Sequence, residues 1–471
     1  MSEVVAENKM GTMPENRLLI SMAVPLMISN FVQALYNVVD SIFVSRITTD
    51  EVVLDALGNP VPAGTDAISA LGLAFPVQMV IIALCMGTAV GVSSLLSRSL
   101  GEGDRETANS TAMHGIFLML CSYVVSLGIG LFGAEWLISM QGAVGRQLAY
   151  GTDYLRIICC CSIGIYMEVM MERLLQSTGR TALSIIPQIT GAVINVIMDP
   201  ILIFGLFGLP KLGVSGAALA TVFGQTVATC IGLFLNLKKN PDITLSIRKF
   251  RPSGHIIRGI YTVGAPAICL QAVGSFMNFG MNSILLGLHT SAVAVFTIYY
   301  KLQSFFFMPM FGLNNALVPI IGYNFGAGKK HRMLKSYRLA LIYGFSLIFV
   351  GFLLFEIMPD KLIMIFNTGD EALLTLGVPA LRKIGVHYLF AWYCILTGGL
   401  FQALGNGMYG FITSISRQMV VLLPAAWILG RIGGVDLVWW SFPIAEVMSL
   451  LATVFFYVLI DRKVIRKMPE A

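Results

Sequence analysis

Apolar runs of about 20 residues recur along nearly the whole chain, and about 20 residues is what a helix needs to cross roughly 30 Å of hydrocarbon. A membrane-spanning helical bundle follows. The spacing predicts twelve spans, near 17–44, 68–97, 108–132, 153–176, 184–205, 213–237, 255–287, 292–323, 335–357, 377–403, 408–430 and 435–460. Composition agrees, because 12% charged residues against 56% hydrophobic is too few to cover a globular surface, where about 25% is usual. Most of the 471 residues therefore expect lipid as their solvent.

The first 16 residues are polar and mixed in charge, and no small-residue cleavage site follows the first apolar run. The amino terminus is therefore expected to be retained, with the first helix as the insertion signal. With that terminus in the cytoplasm, 22 of the 31 Lys and Arg fall on the cytoplasmic side and 8 opposite, while Lys301 lies inside a span. This bias predicts both termini in the cytoplasm of a multi-pass protein of the inner or plasma membrane. The net charge of +6 thus reports topology, and no nucleic-acid partner is expected. All eight cysteines fall within apolar spans and read as small packing residues.

The two halves can be laid over each other. LGEGDRETANS at 100–110 matches FGAGKKHRMLKS from 325, and LLQSTGRT at 174–181 matches LFQALGNG at 400–407, both at an offset of about 225. Pro25 pairs with Pro266 at an offset of about 241, the surplus being absorbed by the long acidic loop 46–67. Each half then holds six spans, and the repeats are parallel. The expected fold class is an all-α integral membrane protein of twelve transmembrane helices in two pseudo-symmetric six-helix lobes, 1–237 and 255–471, joined by a cytoplasmic linker at 238–254.

No phosphate loop, HExxH, GxSxG or other catalytic spacing is present, so an enzyme is not expected. The five histidines are scattered, four of them at or beyond helix ends. An ionisable side chain deep in a span costs on the order of 3 kcal/mol and needs a reason. In the first span Gln33, Tyr36, Asn37 and Asp40 share one helix face. In the fifth, Asn195 and Asp199 lie one turn apart, and Pro200 frees a backbone carbonyl beside that carboxylate. Burial disfavours the charged form of an acid, and a second carboxylate does so again, so the pair reads as a site for protons or a small cation. Glu168 is deeper than Glu172 and Arg173, which read as end-of-helix charges; cavity lining and local pairing are both open for it. Gln271, Asn278 and Asn282 form a polar face on the seventh span, suited to substrate contact or to helix packing.

At this point the chain resembles the multidrug and toxic compound extrusion (MATE) family over essentially its full length. The residues that carry the likeness are Pro25, LYNVVDSIFVSR, LGLAFP, LGEGD, LLQSTGRT, NVIMDPILIFG, GVSGAALAT, GAPA and FGAGK. The resemblance implies two lobes around a central cavity, alternating access, and export of organic cations or drugs driven by proton or sodium antiport, with no cofactor. Within the family the pattern is closest to DinF-like and related bacterial branches, where the first-lobe acids sit as Asp40 and Asp199 do, with Asn195 one turn earlier. Thr221 matches a sixth-span threonine of that network, and Pro25 is the expected site of helix bending. The acids that the NorM-like branch carries in the seventh and tenth spans are missing. A monomer is expected. The rival reading, a flippase for lipid-linked or amphiphilic glycan precursors, would call for an Arg or Lys cluster in the cavity, which the spans lack.

Overall fold

The structure, a computed structural model, describes residues 8–47, 53–54, 60–61, 63–141, 143–246, 248, 250–364 and 371–469, with the side chains of 34–39, 41, 45, 53–54, 60–61, 63–65, 68, 290–291 and 371–372 outside that description. The first half runs α1 (Lys9–Thr12), α2 (Glu15–Ser45), α3 (Ala63–Gly101), α4 (Arg105–Gly128), α5 (Ala134–Ser139), α6 (Gly145–Cys160), α7 (Ile163–Ser177), α8 (Thr181–Phe204) and α9 (Gly213–Lys239). After the connection 240–253 come α10 (Gly254–Leu286), α11 (Thr290–Gly326), α12 (Lys330–Ile357), α13 (Pro359–Met364), α14 (Glu371–Gly385), α15 (Tyr388–Ala403), α16 (Gly407–Ile415), α17 (Leu423–Val438) and α18 (Ser441–Lys463). Among the described residues nine helices are long and apolar enough to span, and two bent pairs, α6 with α7 at 46° and α14 with α15 at 49°, bring the count to eleven. The 31 residues of α2 also exceed a bilayer's thickness, which gives the expected twelve.

The repeat is realised in backbone detail. Gly103 and Gly328 both adopt positive φ, 76° and 70°, as do Gly179 and Gly405, at 81° and 79°. These glycines end a helix in the left-handed conformation that side chains resist, and their hydrogen bonds match. The Asp104 amide donates to the Ser99 carbonyl as Lys329 does to Asn324, and Arg180 donates to Leu175 as Asn406 does to Phe401. The two bends fall at equivalent positions as well, 161–162 and 386–387.

The halves are joined by matched crossings. Helix α2 packs on α11, α10 packs on α3, and α3 crosses α11. Without a hydrophobic driving force between helices in lipid, such contacts depend on small residues that let backbones approach. Gly101 rests on the backbone of Tyr323 and Gly326 on that of Arg98, while Gly87 meets Ile268 and Gly312 meets Met27. One consequence departs from the sequence reading. Leu18, Leu19, Met22, Ala23 and Leu26, the first turns of α2, belong to the hydrophobic core of the second half, because α11 is the neighbour that covers them.

The amino-terminal segment closes the same end of the molecule. Asn8 Nδ2 donates to the Thr178 carbonyl at 2.9 Å, Asn324 Nδ2 to Met10 at 3.1 Å, Lys329 Nζ to Gly11 at 3.1 Å and Arg332 to Met13 at 2.6 Å. Met10 is fully buried between the halves. Burial pushes the Glu15 carboxyl up, but its own backbone N–H, Lys335 and Arg332 outweigh this and hold it below the usual range. The last two spans part at 439–440 rather than at the expected 431–434, where Gly433 and Gly434, the latter at φ 63°, kink α17 without ending it.

A side chain at Gly326 would overlap the Arg98 carbonyl and force α3 and α11 apart. Gly326→Leu is expected to cost about 1–3 kcal/mol, read as a melting midpoint several degrees lower for purified protein. An unchanged midpoint would show that the crossing does not hold the halves together.

Candidate functional site

A cavity of about 630 Å³ opens among α2, α3, α6, α7, α8 and α9, with Asn315 of α11 as its contribution from the second half. Each wall is a helix face with the 3.6-residue period. Leu26, Ser29, Asn30, Gln33 and Asp40 line it from α2, Glu168, Glu172, Arg173 and Gln176 from α7, Gln188 and Asn195 from α8, and Thr221 and Gln225 from α9. Apolar residues of α3 such as Phe75, Met79, Ile82 and Met86 complete it. That is the usual make-up of a small-molecule site, mostly apolar walls with a few convergent polar groups.

Prolines inside helices help position these groups. Helix α2 runs through Pro25 without interruption, but Pro25 has no N–H to offer the Ser21 carbonyl. That carbonyl instead accepts from the Thr181 hydroxyl of α8 at 3.5 Å. Two turns further on, Gln188 Nε2 donates to the Ser29 carbonyl at 3.5 Å, so α2 and α8 are tied at two levels. Asn30 Nδ2 donates across to Met308 of α11 at 3.2 Å, and Gln78 Nε2 to the Tyr154 hydroxyl at 3.1 Å.

The acids sit at two depths. Asp40 is on the cavity wall, half-buried, with one oxygen buried and without a hydrogen-bond partner among the described residues. Asp199 is fully buried behind the wall, and neither of its oxygens has a partner there. The register of α2 on α8, set by Ser21 with Thr181 and Ser29 with Gln188, puts Asp199 opposite Asp40. One turn before Asp199 on α8, Asn195 lines the cavity, and its Nδ2 donates to Thr221 Oγ1 at 3.2 Å while that hydroxyl donates to the Ala217 carbonyl at 3.1 Å. Asn195 Oδ1 is left without a partner. Such a set of unpaired acceptor oxygens around two interacting carboxyls suits a proton or a small cation, and its cost shows that packing alone does not explain it.

Most of the expected positions come together, and some do not. Asp40, Asn195, Asp199 and Thr221 form one cluster, and Gln33 and Glu168 line the cavity beside it. The side chains of Tyr36 and Asn37 lie outside the described residues. Gln271, Asn278 and Asn282 do not line the cavity. Gln271 and Asn282 are exposed, and Asn278 Nδ2 turns back to the Gly274 carbonyl of its own helix at 3.2 Å. Helix α10 packs on α3 and α16, and none of its residues lines the cavity.

Glu172 and Arg173 correct the sequence reading in the other direction, since both line the cavity rather than cap a helix end. The 46° bend gives α7 an axis of its own, which turns the face carrying 165, 168, 172 and 176 inward. Gln188 could have been read from the sequence, because it lies seven residues before Asn195 on the same face. Asn315 had no such signal.

A family model described as MatE matches residues 57–201 and 266–428. The multidrug export protein MepA of Staphylococcus saprophyticus subsp. saprophyticus is 27% identical over 446 residues, 94% of each chain. MepA of Staphylococcus aureus is 25% identical over 450 residues, 95% of each. Among solved structures, one described as the outward-facing conformation of a multidrug resistance MATE family transporter is 25% identical, covers 98% of this chain and 99% of that one, and superposes with a TM-score of 0.87. A MATE structure in the bent conformation, also 25% identical, covers 96% of both chains and superposes at 0.86.

Asp199→Asn keeps the shape and removes a buried carboxyl next to another acid. It is expected to leave stability unchanged or raise it by on the order of 1 kcal/mol, read as the melting midpoint at neutral pH. A clear fall would mean that the carboxylate is a structural partner.

Proposed function

The chain belongs to the MatE family, and from that premise we propose that it is a secondary multidrug exporter that carries amphiphilic organic cations out of the cell in exchange for protons. The observation that supports this reading is the position of the acid cluster, Asp40 on the wall of an otherwise apolar cavity and Asp199 directly behind it. A lipophilic cation entering the cavity gains from an ionised Asp40, and a proton arriving at the pair removes that gain, so the two compete for one charge. Sodium would serve the same oxygens and is the alternative coupling ion.

The end closed by the α3–α11 crossing and the amino-terminal segment is cytoplasmic in the proposed topology, with both termini inside. In this conformation the cavity is sealed from the cytoplasm. Protonation from outside would neutralise the cluster, loosen α2 from α8 around Pro25 and release the drug. Each proton moving inward through about 100 mV contributes about 2.3 kcal/mol, roughly fifty-fold in a concentration ratio. The two halves act as the moving lobes and the chain works as a monomer. A phosphate-bearing lipid precursor suits the cavity poorly, since Arg173 is its lone base among the lining residues and stands beside Glu168 and Glu172.

In energised everted vesicles, export of a fluorescent organic cation is expected to follow an imposed pH gradient. Asp40→Asn and Asp199→Asn should each lower it at least about tenfold, about 1.4 kcal/mol of coupling, while the proteins stay folded. Normal export by both variants would place coupling elsewhere, and export that follows a sodium gradient alone would replace the ion.

A further inference from the structure

The second half buries a polar network that the cavity does not use. His387, 2% exposed, sits at the 49° bend between α14 and α15. Its Nδ1 lies 2.6 Å from the Ile384 carbonyl, and a carbonyl only accepts, so Nδ1 carries the hydrogen. Nε2 lies 3.4 Å from the Gln303 side-chain nitrogen of α11, and on the neutral ring it accepts from that amide. The imidazole therefore ties the last turn of α14 to α11.

The internal repeat identifies what is unusual here. At the equivalent bend in the first half, 225 residues earlier, Ser162 Oγ donates to the Cys159 carbonyl at 2.8 Å. The same structural bond is made there by a hydroxyl that does not titrate, so the bend itself does not require a histidine. Phe442 of α18 packs against the His387 ring, centroids 6.2 Å apart, and Glu446, also 2% exposed, lies one turn further along that helix. Its Oε2 accepts from Arg417 Nη1 at 2.9 Å, while Oε1 is buried without a partner among the described residues. Arg417 belongs to the π-helical segment Ser416–Leu422, a widened turn often found at functional sites, and its side chain is 31% exposed. Glu446 and Arg417 are the charged groups that act on the ring. Tyr299 from α11 and Tyr388 on its own helix stand beside it, both hydroxyls buried and unpartnered among the described residues; Phe307 and Phe442 also pack against the ring.

We propose that His387 is a second proton-binding site, in the half of the molecule opposite Asp40 and Asp199. The proton arriving from the acidic side takes the Nε2 lone pair, which ends acceptance from Gln303. The imidazolium then turns to the free Oε1 of Glu446, and Arg417 releases that carboxylate toward its exposed side. Binding thus moves the ring from α11 to α18 and acts on the bend that His387 holds.

The first readout does not depend on what the chain transports. The full chain, labelled with 15N-histidine in lipid nanodiscs, is titrated from about pH 8 to pH 5, with the His387 signal assigned by its loss in His387→Gln. Protonation of Nε2 is expected within that window. Glu446→Gln should lower its midpoint by about one unit or more, and Arg417→Met should raise it, so either variant suffices if the other does not fold. A ring that stays neutral throughout, or a midpoint that neither variant moves, overturns the proposal. In proteoliposomes, His387→Gln should flatten the pH dependence of export at least about threefold with Asp40 and Asp199 intact; an unaltered profile overturns a role in coupling. Absence of export by the unmodified chain would contradict the proposed function and leave the titration decisive for this site.

Discussion

The close crossing of α3 and α11 is the contact on which the rest of the structure depends. In lipid two helices gain nothing by hiding apolar surface from tails that are equally apolar, so they associate only where backbones approach closely. Gly101 against Tyr323 and Gly326 against Arg98 provide this twice, at positions exchanged by the internal repeat. The crossing brings the turns around Gly103 and Gly328 to one end of the molecule, where the amino-terminal segment is hydrogen-bonded to both halves. Closure at that end leaves the cavity between α2, α7 and α8 to open elsewhere, and makes the helices beside it the ones free to rearrange.

The chemistry of the two halves is far less symmetric than their backbones. Matching glycines, matching bends and matching terminal hydrogen bonds hold different cargo. The first half aims Asp40, Glu168, Glu172 and Arg173 at a shared open space, whereas the second encloses His387, Glu446 and Arg417 among aromatic rings. A carboxyl group in lipid is expensive, and the first half keeps two of them, with both oxygens of Asp199 and one of Asp40 buried and unpaired among the described residues. Such an arrangement is costly for packing alone, and the proposed exchange of a cation for a proton would give it a purpose.

Much of this was legible in the sequence for simple physical reasons. A span announces itself by length and apolarity, a repeat by polar loop motifs at one offset, and the stripe Gln33–Asp40 by helical period in a lipid-facing context. The bends of α6–α7 and α14–α15 were not legible. No proline marks them, and CCCS and IGVH read as uninterrupted helix, so tertiary packing decides the break. That hidden bend is why Glu172 and Arg173 were read as end charges, whereas the polar face of Gln271, Asn278 and Asn282, open to substrate contact or helix packing in the sequence, lies on α10, which contributes no residue to the cavity. The network at His387 draws on α11, α15, α16–α17 and α18, and its members share no helix face that a periodicity could reveal. The first turns of α2 joined the second core because α11, distant in sequence, is their neighbour.

The central claim is that drug and proton compete for one buried pair of carboxyls. Proton release on binding tests it most directly. A lipophilic phosphonium cation is added to the purified chain in weakly buffered detergent near pH 7, and the pH of the solution is followed. The account predicts release of up to about one proton per cation bound, abolished in Asp199→Asn. Saturable binding with no proton released at any pH between about 6 and 8, in protein that retains its fold, would contradict it.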